Sequence, residues 1–256
     1  MRFFLEFSYV GTNYHGWQRQ PNAISVQEVM EGALGTLLKQ PTPLLAAGRT
    51  DTGVHARQMF AHFDATLHVD QRSSLVYQLN QFLPPDVVIH QIHPVKDHAH
   101  ARFDALSRTY TYTVTTKKDP FLIDKAWHFP FPVPLETLQA MALELINHQD
   151  FEAFSKKNAG NKTNICTIEI SNWQTISPSI FTYTVKSNRF LRGMVRGLVG
   201  TMLRIARQSP SKVEAVEAFK SVILSKDPSL CDFSTPAKGL VLETVAYPIG
   251  SLDQPI

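Results

Sequence analysis

Apolar and polar residues alternate along the first ten positions of the chain, and this period of two predicts a half-buried β-strand. The apolar positions are Phe3, Leu5, Phe7 and Tyr9. Residues 25–28, which read SVQE, have the pattern of a capping box, and apolar residues follow at helical spacing. The predicted helix has an apolar face made of Val26, Val29, Met30, Ala33, Leu34, Leu37 and Leu38.

Further apolar runs complete the first half of the chain. They predict a short strand at 44–47, a strand at 59–65, a helix at 73–83 and a strand at 86–95. The predicted order of elements in this half is therefore βαβ(β)αβ.

The second half begins with a strand at 107–116, in which Tyr110, Tyr112 and Val114 share one face. Four prolines in residues 119–134 predict a long loop that contains no regular element. The remaining predicted elements are a helix at 135–147, a hairpin at 166–187 that turns at Ser177-Pro178-Ser179, helices at 189–208 and 212–224, and a closing strand at 239–248.

Alternating strands of this kind favour antiparallel pairing with one open face, and the helices then cover the other face. The predicted fold class is α+β. We expect two α/β halves, residues 1–98 and residues 99–256, each with two helices and several mainly alternating strands.

Composition adds limits to this picture. A hydrophobic fraction of 43% and a charged fraction of 18% are typical of a packed globular protein and exclude a disordered one. The net charge of +3 and a pI near 8.8 permit a polyanionic partner without requiring one. Two cysteines give no disulfide or metal framework, and the chain has neither a signal peptide nor a membrane-length apolar run. We expect a soluble, cytoplasmic protein.

Asp51-Thr52-Gly53 is the sequence feature that carries the clearest chemistry. The same three residue types mark aspartic proteases, in which two carboxylates share a proton. Asp51 could equally be a nucleophile, a metal ligand or the acceptor in a turn. A protease needs a second copy of the motif, which this chain lacks, and Arg49 would favour a fully ionised dyad.

Four histidines within eleven residues raise the alternative of a metal site: His90, His93, His98 and His100. Pro94 interrupts this segment, and no HExxH or similar ligand pattern occurs, so surface or half-buried histidines are the favoured interpretation. Gly193, Gly197 and Gly200 indicate close packing of a helix, because no phosphate-binding motif follows them.

Arginines and aromatic residues are interleaved along the chain, as RNA recognition requires. Arg192 and Arg196 lie four residues apart in the predicted helix at 189–208 and so would share one side of it. The others are Arg49, Arg57, Arg102 and Arg108, with Tyr14, His15, Trp17 and Tyr110 as candidates for stacking on bases.

The chain resembles a known family, the tRNA pseudouridine synthases of the TruA type. The resemblance covers nearly the whole chain, in blocks at 9–34, 47–56, 100–114, 151–168, 189–203 and 234–248, and its most specific motif is the GRTD-x-GVHA sequence around Asp51. The chain departs from the family pattern at Val10, Thr52 and Gln58-Met59.

The resemblance implies two ferredoxin-like halves with a joined sheet, helices on one side and an active-site cleft between the halves. It implies an isomerase that converts uridine to pseudouridine in the tRNA anticodon stem-loop, at tRNA positions 38, 39 and 40. It also implies a homodimer that needs neither a metal nor an organic cofactor.

The same resemblance implies roles for individual residues. Asp51 is similar to the catalytic aspartate, Arg196 to its guanidinium partner, and Tyr110 to a tyrosine that stacks on uracil and acts as general base. The implied substrate-binding residues are Arg49, Thr50, His55, Phe190, Arg192 and Leu240. The alternative function is a catalytically inactive RNA-binding module of the same fold.

Overall fold

The computed structural model describes residues 1–156, 160 and 162–252. The chain forms two compact units, one made of residues 1–107 and 241–252 and the other of residues 108–240. The strands are β1 Arg2–Tyr9, β2 Leu45–Ala46, β3 His55–Asp64, β4 Val87–Val95, β5 Ser107–Thr115, β6 Trp127–His128, β7 Ile168–Ser177, β8 Ile180–Ser187 and β9 Leu240–Ala246. The helices are α1 Val26–Leu38, α2 Val69–Phe82, α3 Leu135–Glu144, α4 Met194–Gln208 and α5 Lys212–Ser225.

In the first unit β1 is the central strand and pairs antiparallel with β4 and β3. β2 pairs with the later part of β3, and the start of β3 pairs with β9 in parallel, with His55 opposite Val241. Phe3, Leu5 and Phe7 are fully buried, which confirms the predicted alternation of β1.

The start of α1 follows the predicted capping box, since the Ser25 hydroxyl accepts a hydrogen bond from the Glu28 amide at 3.3 Å. Its predicted apolar face is confirmed where the side chains are most buried, at Met30, Ala33 and Leu34. The capping box therefore sets where α1 begins, and the hydrophobic pattern sets which of its faces is buried.

The second unit has the strand order β5-β8-β7, all antiparallel, with α3, α4 and α5 packed together. The predicted hairpin is confirmed, because β7 and β8 join directly at residues 178–179. The prediction of a loop without regular structure at 119–134 is wrong in two respects. A short 3-10 helix spans Pro120–Leu122, and β6 pairs in parallel with β5, with Trp127 opposite Val114.

Helix α4 begins later than the sequence predicts, at Met194. Gly193 precedes it in the left-handed region with φ 75°, so the chain turns sharply there. Arg192 thus lies outside the helix, and the predicted helical step from Arg192 to Arg196 is wrong.

The prediction of an α+β fold with mainly antiparallel strands is confirmed. Part of the block at 151–168, residues 157–159 and 161, lies outside the described residues. Among the described helices, none combines the length and the apolar character that a membrane crossing requires.

Candidate active site

Asp51 lies in the loop between β2 and β3, where it is partly exposed. The loop turns back on itself directly after Asp51, and the Val54 amide donates to the Asp51 carbonyl at 3.1 Å. Gly53 has φ 78°, a conformation that other residues rarely adopt. The loop therefore has a defined backbone path that presents Asp51 at its turn.

The last residue of β1 and the residues after it hold this loop along its length, and we refer to residues 9–17 as the clasp segment. The Trp17 amide donates to the Thr50 carbonyl at 3.2 Å, and the Gly53 amide donates to the Tyr14 carbonyl at 3.2 Å. The two bonds bracket Asp51 on either side. These two main-chain hydrogen bonds hold the backbone at Asp51, so its carboxylate is positioned more firmly than it would be on a loop without such bonds.

Two glycines allow the clasp segment to approach so closely. A Cβ atom at Gly16 would lie 2.4 Å from the Thr50 carbonyl oxygen, and one at Gly11 would lie 2.0 Å from the Val54 carbonyl oxygen. Gly16 also has φ 83°. Any larger residue at either position must displace the backbone on one side of Asp51.

Thr50 and His55 direct their polar atoms toward the clasp segment. The hydroxyls of Thr50 and Tyr9 are hydrogen-bonded at 2.8 Å, and Nδ1 of His55 accepts from the Gly11 amide at 2.9 Å. Both side chains are buried, whereas Arg49 between them and β2 is exposed. Arg49 and Thr52, on either side of Asp51 in the loop, are exposed.

Two of the aromatic residues considered for base stacking are part of the core. Tyr14 is buried and its hydroxyl donates to Asp86 at 2.6 Å, and burial together with that carboxylate raises the pKa of Tyr14. Trp17 is buried with its ring stacked on Phe7, with centroids 5.2 Å apart. The expectation that they stack on RNA bases is therefore wrong, while His15 between them is exposed.

In the second unit Tyr110 lies on β5 opposite Val185 of β8 and is 9% exposed. The ring of Phe190 packs edge-on against the Tyr110 ring, with centroids 5.1 Å apart and planes at 86°. This T-shaped contact holds the tyrosine ring in one orientation. Phe190 comes just before α4, so the segment 188–193 brings it to the end of the sheet.

Arg196 lies in the first turn of α4 and is partly buried. Its Nε donates to the Thr235 carbonyl at 2.7 Å, and the Thr235 hydroxyl donates to the Arg196 carbonyl at 3.0 Å. This reciprocal pair fixes the guanidinium to the chain that leads into β9. Leu240, the first residue of β9, is buried, while Arg192 is exposed.

Tyr112 is fully buried two residues beyond Tyr110 on the same face of β5. Its hydroxyl donates to the Pro236 carbonyl at 2.7 Å. Burial raises the pKa of Tyr112, and the positive charge of Arg196 opposes this increase in part. Tyr112 is therefore a neutral structural donor at any pH at which the protein works.

The arginines that the sequence groups with RNA binding have individual protein contacts. Arg57 forms an ion pair with Glu243 at 2.9 Å, and Arg108 donates to the Asn188 carbonyl at 2.9 Å. The Arg102 guanidinium lies 5.9 Å from the centre of the Phe103 ring. Arg49, Arg57, Arg102 and Arg192 are exposed, and of these Arg49 and Arg192 are among the predicted substrate-binding residues.

The histidines of residues 90–100 are engaged separately. Nε2 of His93 lies 3.0 Å from the Glu6 carboxylate, and Nε2 of His90 lies 2.9 Å from the Ser8 hydroxyl. The hydrogen bond from His93 lowers the pKa of Glu6. Across the described part of the chain, no three His, Cys, Asp or Glu side chains are grouped as metal ligands would be.

Sequence reasoning did not identify Tyr9, Gly16 or Thr235 as part of the site. Tyr9 was visible only as an apolar position of β1, and Gly16 only as one residue of a loop. The chain from Thr235 onward belongs to a block that resembles the family, yet nothing in the sequence shows that its carbonyl meets Arg196.

The site residues are divided between the two units. The first unit brings Arg49, Thr50 and Asp51 together on the loop before β3, and His55 is the first residue of that strand. The second unit contains Tyr110 next to Phe190, and Arg196 next to Thr235.

Comparison with known proteins identifies relatives over almost the entire chain. The family model described as tRNA pseudouridine synthase matches residues 141–248. Proteins named tRNA pseudouridine synthase A are 42% identical in Parabacteroides distasonis and 41% identical in Bacteroides fragilis, with 96% of this chain and 96% of each relative covered. The protein of that name in Synechocystis is 35% identical, over 96% of this chain and 89% of its own length. The chain thus belongs to the tRNA pseudouridine synthase A family.

Proposed function

We propose that this chain isomerises uridine to pseudouridine in the anticodon stem-loop of tRNA, at tRNA positions 38, 39 and 40. The observation that carries the proposal is the 42% identity with a protein named tRNA pseudouridine synthase A over 96% of both chains. The firmly held loop around Asp51 supports it, because a reacting carboxylate must keep one position while the substrate rearranges.

The reaction requires no redox change. The bond between ribose C1′ and uracil N1 breaks, the uracil turns, and a new bond forms between C1′ and C5. The proton on C5 must then leave, and N1 gains one, so the product has the same atoms as the substrate. The protein therefore has to supply a carboxylate, a base and a pocket that retains the freed uracil.

Asp51 is the carboxylate in this proposal, either as a nucleophile or as the group that initiates formation of a glycal. It must be ionised when it acts, and the guanidinium of Arg196 favours the ionised form. Arg196 suits this role because its Nε is already bound to the Thr235 carbonyl, which fixes the plane of the charged group.

Tyr110 stacks on the uracil and accepts the proton from C5. Phe190 supports its ring by the T-shaped contact described above. The target uridine has to leave its stack before it reacts, and exposed Arg49 beside the Asp51 turn holds the flipped nucleotide or fills its place. Thr50 and His55 act on the substrate through the loop that their side chains anchor.

The substrate is recognised mainly through phosphate groups and shape, since an enzyme that modifies three adjacent positions cannot read one flanking sequence. The arginines dispersed over both units are consistent with such contacts. We also propose a cytoplasmic homodimer, whose stoichiometry light scattering coupled to gel filtration would measure.

The proposed function is tested by release of tritium from tRNA that carries the label on uracil C5. We expect the wild-type protein to release tritium, also after dialysis against EDTA, and Asp51→Asn to release none above the level without enzyme. tRNA binding should survive in Asp51→Asn, because phosphate contacts supply most of the affinity. Asp70→Asn, an exposed carboxylate in the first turn of α2, is the matched control and should be fully active.

The alternative of an inactive RNA-binding module predicts a different result from the same assay. The wild-type protein would then bind tRNA and release no tritium. Activity that is lost with EDTA and restored by zinc would instead indicate a metal-dependent reaction. Appreciable tritium release by Asp51→Asn would remove Asp51 from the catalytic role.

A further inference from the structure

A segment of the second unit, residues 232–236, lies along α4 and is tied to it at two points. The Asp232 amide donates to the Thr201 hydroxyl at 2.9 Å, and the Thr235 hydroxyl donates to the Arg196 carbonyl at 3.0 Å. Thr235 has no exposed surface. The segment therefore follows the first two turns of the helix with Thr235 as its buried residue, while Ser234 is exposed.

Two glycines of α4 make room for this segment. A Cβ atom at Gly200 would lie 2.3 Å from the Thr235 hydroxyl oxygen and 2.5 Å from the Asp232 carbonyl oxygen, and one at Gly197 would lie 2.7 Å from the Phe233 ring. The close packing that the glycine spacing indicates is thus contact with an extended segment and not with another helix. The two glycines thus leave the space on α4 that residues 232–236 occupy.

This arrangement places a main-chain acceptor at Arg196. The Thr235 carbonyl accepts from Nε of Arg196 at 2.7 Å. A guanidinium is planar and rigid, so a hydrogen bond to Nε together with the direction of the side-chain stem fixes where its terminal nitrogens point. A lysine could not copy this, since its ammonium is a single rotating donor group.

The next residue of the segment binds the strand that carries Tyr110. The Pro236 carbonyl accepts from the hydroxyl of Tyr112, which lies two residues from Tyr110 on the same face of β5. Two consecutive carbonyls, those of Thr235 and Pro236, thus connect the first turn of α4 to β5.

We propose that Thr235 is a positioning residue, which sets the orientation of the Arg196 guanidinium and thereby the rate of the chemical step. The proposal rests on the proposed function, since it takes Arg196 as the partner of the reacting carboxylate. Thr235 does not contact the substrate. It acts through its hydroxyl, which holds the segment against the helix, and through its carbonyl, which binds Nε.

Thr235→Val tests this proposal because it removes the hydroxyl, keeps the shape of the side chain and keeps the main-chain carbonyl. We expect the single-turnover rate of tritium release to fall by about 10–100-fold, since small misplacements of catalytic groups have effects of this size. The affinity for tRNA should stay within about twofold of wild type because no phosphate contact is lost. Thr235→Ser keeps the hydroxyl and should restore a rate close to wild type.

Ser171→Ala is the matched control for a merely structural effect. Ser171 is a buried hydroxyl of the same unit that is hydrogen-bonded to Tyr183 at 2.8 Å, away from the 232–236 segment. Its loss should lower the melting temperature to a similar extent and leave the rate unchanged. Equal rates in Thr235→Val and wild type, or equal rate losses in Thr235→Val and Ser171→Ala, would overturn the proposal.

Arg196→Ala separates this proposal from the proposed function. An inactive Arg196→Ala with a normal Thr235→Val leaves the proposed function standing and removes the positioning role. A fully active Arg196→Ala contradicts the assigned role of Arg196 itself. In a background that replaces Arg196 and keeps a measurable single-turnover rate, such as Arg196→Lys, Thr235→Val should cause no further loss of rate, and an additional 10-fold loss there would also contradict the proposal.

A second variant covers the case in which Thr235→Val does not fold by circular dichroism. Gly200→Ala pushes the segment away from α4 through the contacts at 2.3 and 2.5 Å and keeps every hydrogen-bonding group. We expect the same loss of single-turnover rate with retained tRNA binding. A folded Gly200→Ala with a wild-type rate would show that the orientation of Arg196 does not depend on this segment.

Discussion

Tyr110 and Tyr112 share one face of β5, yet their hydroxyl groups have different surroundings. Tyr112 is fully buried and donates to the Pro236 carbonyl, so it is a structural residue. Tyr110 is 9% exposed and has its ring held by Phe190. The surroundings of the two side chains, and not residue type, separate the two roles.

Tyr110→Phe should therefore reduce chemistry more than binding. The phenyl ring still stacks on uracil, which contributes roughly 1–3 kcal/mol per base in stacking sites. The lost hydroxyl is the proposed base, and general acid–base catalysis typically contributes about 10²–10⁴-fold to the rate. We expect a single-turnover rate lower by such a factor, measured by tritium release, with near-normal tRNA affinity.

Tyr183→Phe is the control for this experiment, because Tyr183 is a buried tyrosine of β8 whose hydroxyl is bonded to Ser171. It should cost about 1 kcal/mol in stability for one lost hydrogen bond and leave the rate unchanged. Similar, small effects of Tyr110→Phe and Tyr183→Phe on the rate would remove Tyr110 from the catalytic residues.

The arginines and aromatic residues of the sequence indicated an RNA-binding protein, but residue type alone did not show which of them are exposed to a substrate and which are structural. Tyr14 and Trp17 have the chemistry of stacking residues and are instead buried against Asp86 and Phe7. Thr235 carries no sequence signal for its contact, because the acceptor for Arg196 is a main-chain carbonyl 39 residues away. Burial and main-chain contacts depend on the folded chain, and a sequence pattern does not contain them.

At the level of elements, the clasp segment is what holds the Asp51 loop. It contributes a main-chain bond on each side of Asp51, a side-chain bond from Tyr9 and a close contact at Gly16. Gly16 combines φ 83° with a carbonyl 2.4 Å from its Cβ position, so a methyl group there would strain the backbone and displace the loop next to Asp51.

Gly16→Ala should displace the Thr50 carbonyl and with it Asp51. We expect a loss of stability on the order of 1–3 kcal/mol from backbone strain and overpacking, and a lower single-turnover rate in the protein that remains folded. Urea unfolding and tritium release measure the two effects. Gly48→Ala, in the same loop but with no atom within 4 Å of its Cβ position, should change stability by less than about 0.5 kcal/mol.

Wild-type stability and rate in Gly16→Ala would contradict a clasp that positions Asp51. Lost stability with an unchanged rate in the folded fraction would show that the clasp serves the fold alone.

Hydrophobic periodicity predicted the helices and strands of this chain well where they are long and regular. It placed the start of α4 five residues early, since the apolar pattern continues back through residues 189–193 while Gly193 turns the backbone. It missed β6, because two residues are too short for a period and their pairing with β5 is not local. Both of these differences arise where tertiary contacts decide the backbone path. The pattern also placed the starts of β3 and α2 four residues late, at 59 and 73 instead of His55 and Val69.

For the whole molecule, the return of β9 to the first unit is the main feature that a linear division of the sequence does not contain. β9 pairs with β3 in parallel, with His55 opposite Val241, although 186 residues separate them in the chain. The expected halves, 1–98 and 99–256, remain a prediction about how the chain divides.

The first unit also holds a buried histidine, His62 on β3, that couples its folding to pH.

His62 is 3% exposed, and its Nδ1 accepts from the Ala101 amide at 3.2 Å. Burial, together with the positive charges of Arg2 and His100, lowers the pKa of His62 to about 4, against smaller opposing effects of Asp64 and Asp104. Burial also lowers the pKa of His100, whose ring lies 4.5 Å from that of His62. Both histidines are thus folded in their neutral forms.

The sign of the effect follows from proton binding. Between about pH 6.5 and pH 4 the unfolded chain binds a proton at His62 and the folded chain does not, so stability falls as the pH falls through this range. Above pH 6.5 His62 is mostly neutral in both states, so its protonation no longer lowers the free energy of unfolding. Over the whole range the effect amounts to roughly 3 kcal/mol at most, from about 1.4 kcal/mol for each pKa unit.

His62→Asn removes this titration while its Oδ1 can still accept from the Ala101 amide. We expect urea unfolding at a series of pH values to show a clearly smaller loss of stability between pH 7 and pH 4.5 in the variant than in the wild-type protein. The carboxyl groups of Glu6 and Asp64 have lowered pKa values, through His93 and Arg2 respectively, so their own contribution is lost at lower pH and is shared by both proteins. If stability falls equally with pH in the two proteins, protonation of His62 does not limit the stability of the fold in acid. The folded protein would then tolerate a charged His62 beside the Ala101 amide.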